Sequence, residues 1–469
     1  MREQKLPVSF LKVLPAERVE KALADQKPRM TAGEAHLEGE RCLYCADAPC
    51  TRACPTGIDV PGFIKRIASG NLRGSARTIF EQNILGYSCA RVCPVEVLCE
   101  GACVYTAWMD KPIAIGRLQR FATETALDPS PVPLLAARTP TGKRAVCVGA
   151  GPASLAFAAT LALQGHQATV LEKRALPGGL NATGVAPYKL HVEDALREVA
   201  WVQSLGVEMR TGVEVGRDVS GAELLAAYDA VFLGLGLGDD TRLGIPGEEG
   251  PGVVGATAWI EAMKVAPGER PRLGRVVVVG GGNTAIDVAR ECALLGADEV
   301  TMVYRRGATA MSGYAHEMNA ARKEGVRLVL SARPVAVVRD AEGAVQALRV
   351  SLTAGAATPV AGPPSLDGGA HGGERHLPCH LVVLAIGQSP LRAIAREFPG
   401  VALDAHGRVV ADAATGATGH PRVFSGGDCV NGGKEVVHAV AEGRNAARYL
   451  HATWSRPSPD LSPSHPAPG

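Results

Sequence analysis

Two strand–glycine turn–helix–strand units, with eight cysteines crowded ahead of them, predict an α/β chain in three parts. An N-terminal α-helical, cysteine-rich domain is expected over residues 1–138. Two Rossmann-like dinucleotide-binding domains are expected to follow, the second inserted in the first. The outer one takes residues 139–245 and 385–455, the inner one 246–384, and 456–469 form a disordered tail.

Bulk composition bounds the reading. The chain has 469 residues, too many for one ordinary domain, and its 55 glycines suit an α/β protein with many tight turns. Net charge is +2 and aromatic content 4%, which leaves neither a basic surface nor a stacking platform for a nucleic acid. The start, MREQKLPVSFLKVLPAERVE, has no apolar core of signal-peptide length, and the longest apolar run, PASLAFAATLALQG, is too short to span a bilayer. A cytoplasmic chain with no membrane partner is therefore expected. There, 12 cysteines point to metal or redox chemistry in place of disulfides.

Taken in order, FIKRIASGNLRGSARTIFEQN and IGRLQRFATETAL carry the apolar spacing of helices, and DPSPVPLLAARTPTG reads as a linker. RAVCVGAGPASLAFAATLALQGHQATVLEK is the first βαβ unit and RVVVVGGGNTAIDVARECALLGADEVTMVYRRG the second. HLVVLAIGQSP adds a strand, and PRVFSGGDCVNGGKEVVHAVAEGRNAARYLH a strand, turn and helix. TAGAATPVAGPPSLDGGAHGGERH is low-complexity and is expected to be a mobile loop.

The first glycine turn runs Gly149, Ala150, Gly151, Pro152, Ala153, Ser154. Gly149 allows the turn, Gly151 lets backbone approach a pyrophosphate, and Ser154 is small where helix meets strand. Glu172 ends the second strand, where a carboxylate can bind ribose hydroxyls. With Gly178, Gly179 and Leu180 just beyond it, and Gly427 and Asp428 in the late turn, this site should hold FAD. The second turn is Gly280, Gly281, Gly282, Asn283, Thr284. Its second strand ends in Arg305 and Arg306 where an acid would serve NADH. Guanidiniums can grip a 2′-phosphate, so NADPH is expected in preference to NADH.

The cysteines form two runs, Cys42, Cys45, Cys50, Cys54 and Cys89, Cys93, Cys99, Cys103. Zinc takes four thiolates but has no redox chemistry. Beside flavin and nicotinamide sites, two four-iron clusters fit better. Spacing alone places Cys89 in the second set and leaves Gln119 a helix-surface residue.

CLYCADAPCTRACPTGID, QNILGYSCARVCPVEVLCEGAC and DKPIAIGRLQRFATE resemble the N-terminal region of dihydropyrimidine dehydrogenase, and still more the NAD(P)H-oxidising subunit of its two-subunit bacterial form. The likeness runs from about Glu34 through the late GGD turn. The glutamate synthase small subunit is a more distant likeness. The resemblance implies that one cluster takes Cys42, Cys45, Cys50 and Cys103. The other then takes Cys54, Cys93, Cys99 and Gln119, leaving Cys89 out. It also implies FAD contacts at Lys189 and NADPH contacts at Ala385, Ile386 and Gly387. An arginine that the family carries after YRRG is replaced near Ser312.

The implied chemistry is hydride transfer from NADPH to FAD, which needs no acid or base, so no catalytic side chain is expected. Electrons then leave singly through the clusters. The chain has no length for an FMN barrel. An FMN- and iron–sulfur-containing partner subunit in a hetero-oligomer is therefore expected to reduce uracil or thymine. Two other readings stand beside this one: an input subunit for a glutamate synthase large subunit or ferredoxin, and a low-turnover flavoprotein scaffold or sensor.

Overall fold

A computed structural model of the chain describes residues 10–127, 133–268, 271, 273–352 and 373–456. Short helices build the cysteine-rich region, and their starts follow from local chemistry. Thr31 and Glu34 form a reciprocal capping box at the helix Ala32–Glu40. The Asp59 side chain caps Val60–Ala68, and the Asn71 side chain caps Leu72–Phe80. Phe63, Ile64, Ile79 and Leu118 are fully buried where these helices meet Ile115–Ala126.

The first sheet begins with β1 (Arg144–Val148), β2 (Gln167–Glu172), β3 (Glu208–Thr211) and β4 (Ala230–Leu233). The chain then leaves to form β5 (Val253–Gly255), β6 (Arg275–Val279), β7 (Glu299–Val303) and β8 (Arg327–Val329). An antiparallel set follows, β9 (Ala332–Arg339), β10 (Val345–Leu352) and β11 (Glu374–Pro378), and then β12 (Leu381–Leu384). Finally β13 (Val423–Ser425) returns to the first sheet. The order is β13-β4-β1-β2-β3 in one parallel sheet and β5-β12-β6-β7-β8 in the other, so the second is an insertion in the first. Both central strands, RAVCV and RVVVV, are buried after their leading arginine, as strands covered on both faces must be. The helix Pro152–Leu163 packs on the first sheet. The last helix, Val436–Trp454, crosses it at Gly443, where a Cβ would overlap the Ala153 carbonyl oxygen.

Some expectations change. The stretch read as a linker is partly core, because Leu134 and Leu135 are buried in the same cluster as the helix Pro152–Leu163. Residues 18–26 run along the dinucleotide domains: Arg18 bonds Glu193 at 2.6 Å and Gln26 donates its amide to the Tyr188 carbonyl at 2.8 Å. The expected mobile loop lies largely outside the described residues, as does the tail after Arg456, but Glu374 to His376 belong to β11. No described helix is long and apolar enough to cross a membrane.

Candidate functional site

At the first glycine turn, β1 hands over to Pro152–Leu163 through Gly149, whose φ is +92°. A side chain there would come within 2.6 Å of the Gly234 carbonyl oxygen, so only glycine fits. Gly151 is the opposite case, with nothing within 4 Å of a built Cβ, which leaves an open cradle at the helix start. The amides of Ala153 and Ser154 precede the first intrahelical bond, and Pro152 needs none. Ser154 is buried against Gly234, the close helix–strand approach expected of a small residue. Glu172 faces the turn and accepts the Ala150 amide at 2.9 Å and the Arg174 amide at 2.9 Å. Its remaining lone pairs can still accept hydroxyls. The Gly178–Gly179 turn folds back over this point: Gly178 donates to the Ala150 carbonyl at 2.9 Å, and a Cβ on Gly179 would stand 2.7 Å from Gly151 Cα. Leu180 then opens a short helix. Gly427 packs its backbone on Ala153, which brings Asp428 to the same helix start. Burial raises the Asp428 carboxyl above its usual range. An open cradle walled by glycine backbone, with amides and two carboxylates around it, fits a dinucleotide.

The second turn repeats the plan. A Cβ on Gly281 would meet the Tyr304 ring at 2.5 Å, and Gly280 lies on the Ala385 carbonyl, which ties the turn to Ala385, Ile386 and Gly387 at the end of β12. Gly387 accepts the Thr241 amide at 2.8 Å. Thr284 is exposed, and the loop at Ser312 approaches Gly282. Arg305 and Arg306 are exposed at the end of β7. Arg306 donates Nε to the Tyr304 hydroxyl at 2.9 Å. Asn283 accepts the Tyr314 amide at 2.9 Å, and the Tyr314 hydroxyl reaches Glu435, the residue before the last helix. His438 and then Tyr314 hold Glu435 down to about 2. That joins the two dinucleotide domains across the space between their turns.

The Lys189 ammonium is bonded to Asp287 and to Glu317, each at 2.7 Å, which ties the segment after the Gly178–Gly179 turn to the inserted domain. Sequence reasoning missed Lys264. It is fully buried and donates to the carbonyls of Asn181, Val185 and Leu190 at 2.8–3.0 Å, fixing the segment after the Gly178–Gly179 turn. A lysine inside the apolar run AWIEAMKV was the available signal.

The thiols separate into two groups. Cys42, Cys45, Cys50 and Cys103 line one small cavity, walled by Val60, Ile64, Ile113 and Ile115. Burial pushes Cys50 up to about 11 and raises Cys42, so a bound metal cation would favour their thiolate forms. Cys99 interacts electrostatically with Cys93 and Cys54, and burial drives it well above the usual thiol range. Among the described residues no three His, Cys, Asp or Glu side chains converge on a single ion position. The Cys93 amide donates to the Cys89 carbonyl at 3.0 Å, and the nearby Cys89 thiol, together with burial, raises the Cys93 thiol. Gln119 is buried, and its amide nitrogen donates to the Gly86 carbonyl at 2.6 Å, which leaves its oxygen as the donor atom for a metal. A cavity ringed by four thiols, with a second thiol group apart from it, fits polynuclear iron–sulfur chemistry.

The profile described as pyridine nucleotide-disulphide oxidoreductase matches residues 143–443. The chain belongs to that family. Ahead of that match, the profile described as dihydropyrimidine dehydrogenase domain II, 4Fe-4S cluster, matches residues 18–130. The glutamate synthase [NADPH] small chain of Halomonas elongata is 36% identical over 441 residues, covering 90% of this chain and 91% of its own. The NAD-dependent dihydropyrimidine dehydrogenase subunit PreT of Escherichia coli is 34% identical over 430 residues, covering 92% and 96%. In fold alone, T. acidophilum thioredoxin reductase matches with a TM-score of 0.52 at 21% identity, covering 66% of this chain and 98% of its own. This member of the family is thus an FAD- and NAD(P)H-dependent oxidoreductase with an iron–sulfur domain, of the type found as a subunit of larger enzymes.

Proposed function

We propose that the chain is the electron-input subunit of a pyrimidine-reducing enzyme, oxidising NADPH and passing electrons to a partner that carries FMN and iron–sulfur centres. The observation that carries this reading is the grouping of thiols in two sets beside two dinucleotide turns. FAD, when bound, supplies a two-electron acceptor able to release electrons singly to two 4Fe-4S clusters. Gly149, Ala150, Gly151, Ala153, Gly179 and Leu180 would hold it, with Glu172 on the ribose and Asp428 beside Gly427 on the ribityl–phosphate arm. Gly281, Gly282, Asn283 and Thr284 would hold NADPH against Ala385, Ile386 and Gly387, and Arg305 with Arg306 would take the 2′-phosphate. The Tyr314–Glu435 bond would keep the two bound dinucleotides facing. The clusters would take the ligand sets implied by the family, including Gln119.

A second reading, input to a glutamate synthase, is favoured by the arginine pair, since the relatives named for NADPH are glutamate synthase chains. The motifs CADAPC and CPTGID favour the first. Purification of the native complex tests both. NADPH-dependent uracil or thymine reduction by a co-purifying FMN subunit is expected. Conversion of glutamine and 2-oxoglutarate to glutamate, with no pyrimidine turnover, would overturn the first reading.

A further inference from the structure

The helix Val436–Trp454 carries Arg444 into the seam between the cysteine-rich domain and the first sheet domain. Its Nη1 donates to the Thr56 carbonyl at 2.6 Å and to the Gln82 carbonyl at 2.7 Å, and its Nη2 to Asn445 Oδ1 at 3.1 Å. Every one of these acceptors is neutral. Arg444 is part-buried, and the arginines buried in the fold are different: Arg18 meets Glu20 at 3.0 Å, Arg91 meets Asp194 at 3.1 Å, Arg120 meets Asp25 at 2.8 Å and Arg290 meets Glu317 at 2.6 Å. Among the described residues Arg444 makes no ion pair with a carboxylate. Burial, and then the neighbouring Arg448, lower it to about 10, which leaves it cationic at neutral pH, and the nearby Cys54 acts in the opposite sense.

Thr56 links the two groups. Its carbonyl takes the guanidinium, and its hydroxyl lies 3.3 Å from Cys54 Sγ. A part-buried cation whose hydrogen-bond acceptors are all neutral keeps its charge available to an anion that faces it. An iron–sulfur cluster with thiolate ligands is anionic, and its potential responds to nearby charge and hydrogen bonding.

We propose that Arg444 is an electrostatic positioning residue for the cluster at Cys54, raising that cluster's reduction potential. A cluster bound at Cys54 would gain one negative charge on taking up an electron derived from NADPH, and the adjacent Arg444 cation would stabilise that reduced form over the oxidised one. The same guanidinium pins the Cys54–Thr56 turn to the late helix of the first sheet domain. The inference rests on the reading of Cys54 as a cluster ligand.

The test is an anaerobic redox titration of the full-length holoprotein, followed by electron paramagnetic resonance, with iron content measured alongside. Arg444→Gln is expected to lower the equilibrium constant for reduction of one cluster by about tenfold, or about 59 mV for a one-electron couple, and to leave the other unmoved. Gln82→Glu sets a carboxylate against the cation without touching it and is expected to shift the same cluster in the same direction. Arg444→Lys keeps the charge and should stay near wild type. Unchanged potentials in Arg444→Gln and Gln82→Glu would overturn the inference, as would a Lys variant that shifts as far as Gln. If Arg444→Gln fails to retain iron, Gln82→Glu and Arg444→Lys decide alone. Full iron and both signals in Cys54→Ser would instead overturn the ligand reading beneath it.

Discussion

Replacing Arg305 by alanine should separate the two nicotinamide cofactors. Arg305 is exposed at the end of β7, and its guanidinium has no hydrogen bond or ion pair among the described residues. It therefore has nothing to break before meeting a 2′-phosphate. A hydrogen bond to a charged group contributes about 1.5–3 kcal/mol. At about 1.36 kcal/mol per decade, its loss raises the Michaelis constant for NADPH about 10- to 150-fold. NADH has no 2′-phosphate, so its constant should stay put. Arg306 is built differently. It stacks 5.4 Å from the Tyr304 ring centroid and bonds the Tyr304 hydroxyl, and that ring walls Gly281. Arg306→Ala should therefore weaken both cofactors, NADPH the more. Steady-state dye reduction with each cofactor measures this. Because both arginines are exposed, raising salt should erode the NADPH preference of the wild type. Equal losses with NADPH and NADH in Arg305→Ala would refute the 2′-phosphate role.

Three further outcomes are expected. Gly443→Ala should destabilise the protein by about 1–3 kcal/mol and lower its flavin content, because the new methyl drives the last helix off the Ala153 carbonyl at the first glycine turn; thermal denaturation and flavin absorbance check both. Gln119→Ala should remove or perturb one cluster's spectrum while Cys89→Ala leaves both; the reverse result restores the simple eight-cysteine reading. Glu198 is fully buried, accepts the amides of Tyr87 and Ser88, and burial pushes it up to about 8. The folded state then holds a proton between about pH 4.5 and 8 that the unfolded state releases. Stability should fall as pH rises through that window, by at most about 5 kcal/mol, and level off above it. Denaturant titrations at pH 5 and 8 should show this slope in the wild type and a flatter one in Glu198→Gln.

The glycine turns were legible from sequence because their causes are local. A strand, a residue that takes a positive φ and a helix start all lie within a dozen positions: Gly149 has φ +92°, Gly151 is open at the helix start, and Gly281 packs on the Tyr304 ring. The nested order of the two parallel sheets followed from the same pattern and from the late strand at Val423–Ser425. Spacing could not tell which thiols face one another. The first four cysteines look like a closed set, yet Cys103 joins Cys42, Cys45 and Cys50 around one cavity while Cys54 turns toward Cys99. That partition depends on how the capped helices pack over Phe63, Ile64 and Leu118, which no local window encodes. The partners of Lys189, Lys264 and Arg444 were hidden for the same reason. Only the fold supplies them: two carboxylates for Lys189, three carbonyls for Lys264, and neutral acceptors beside a cysteine for Arg444. The residue types and their spacing determined which chemistries the chain can support. Tertiary packing decided which groups meet, because burial and charge pairing are set by neighbours far away in the chain.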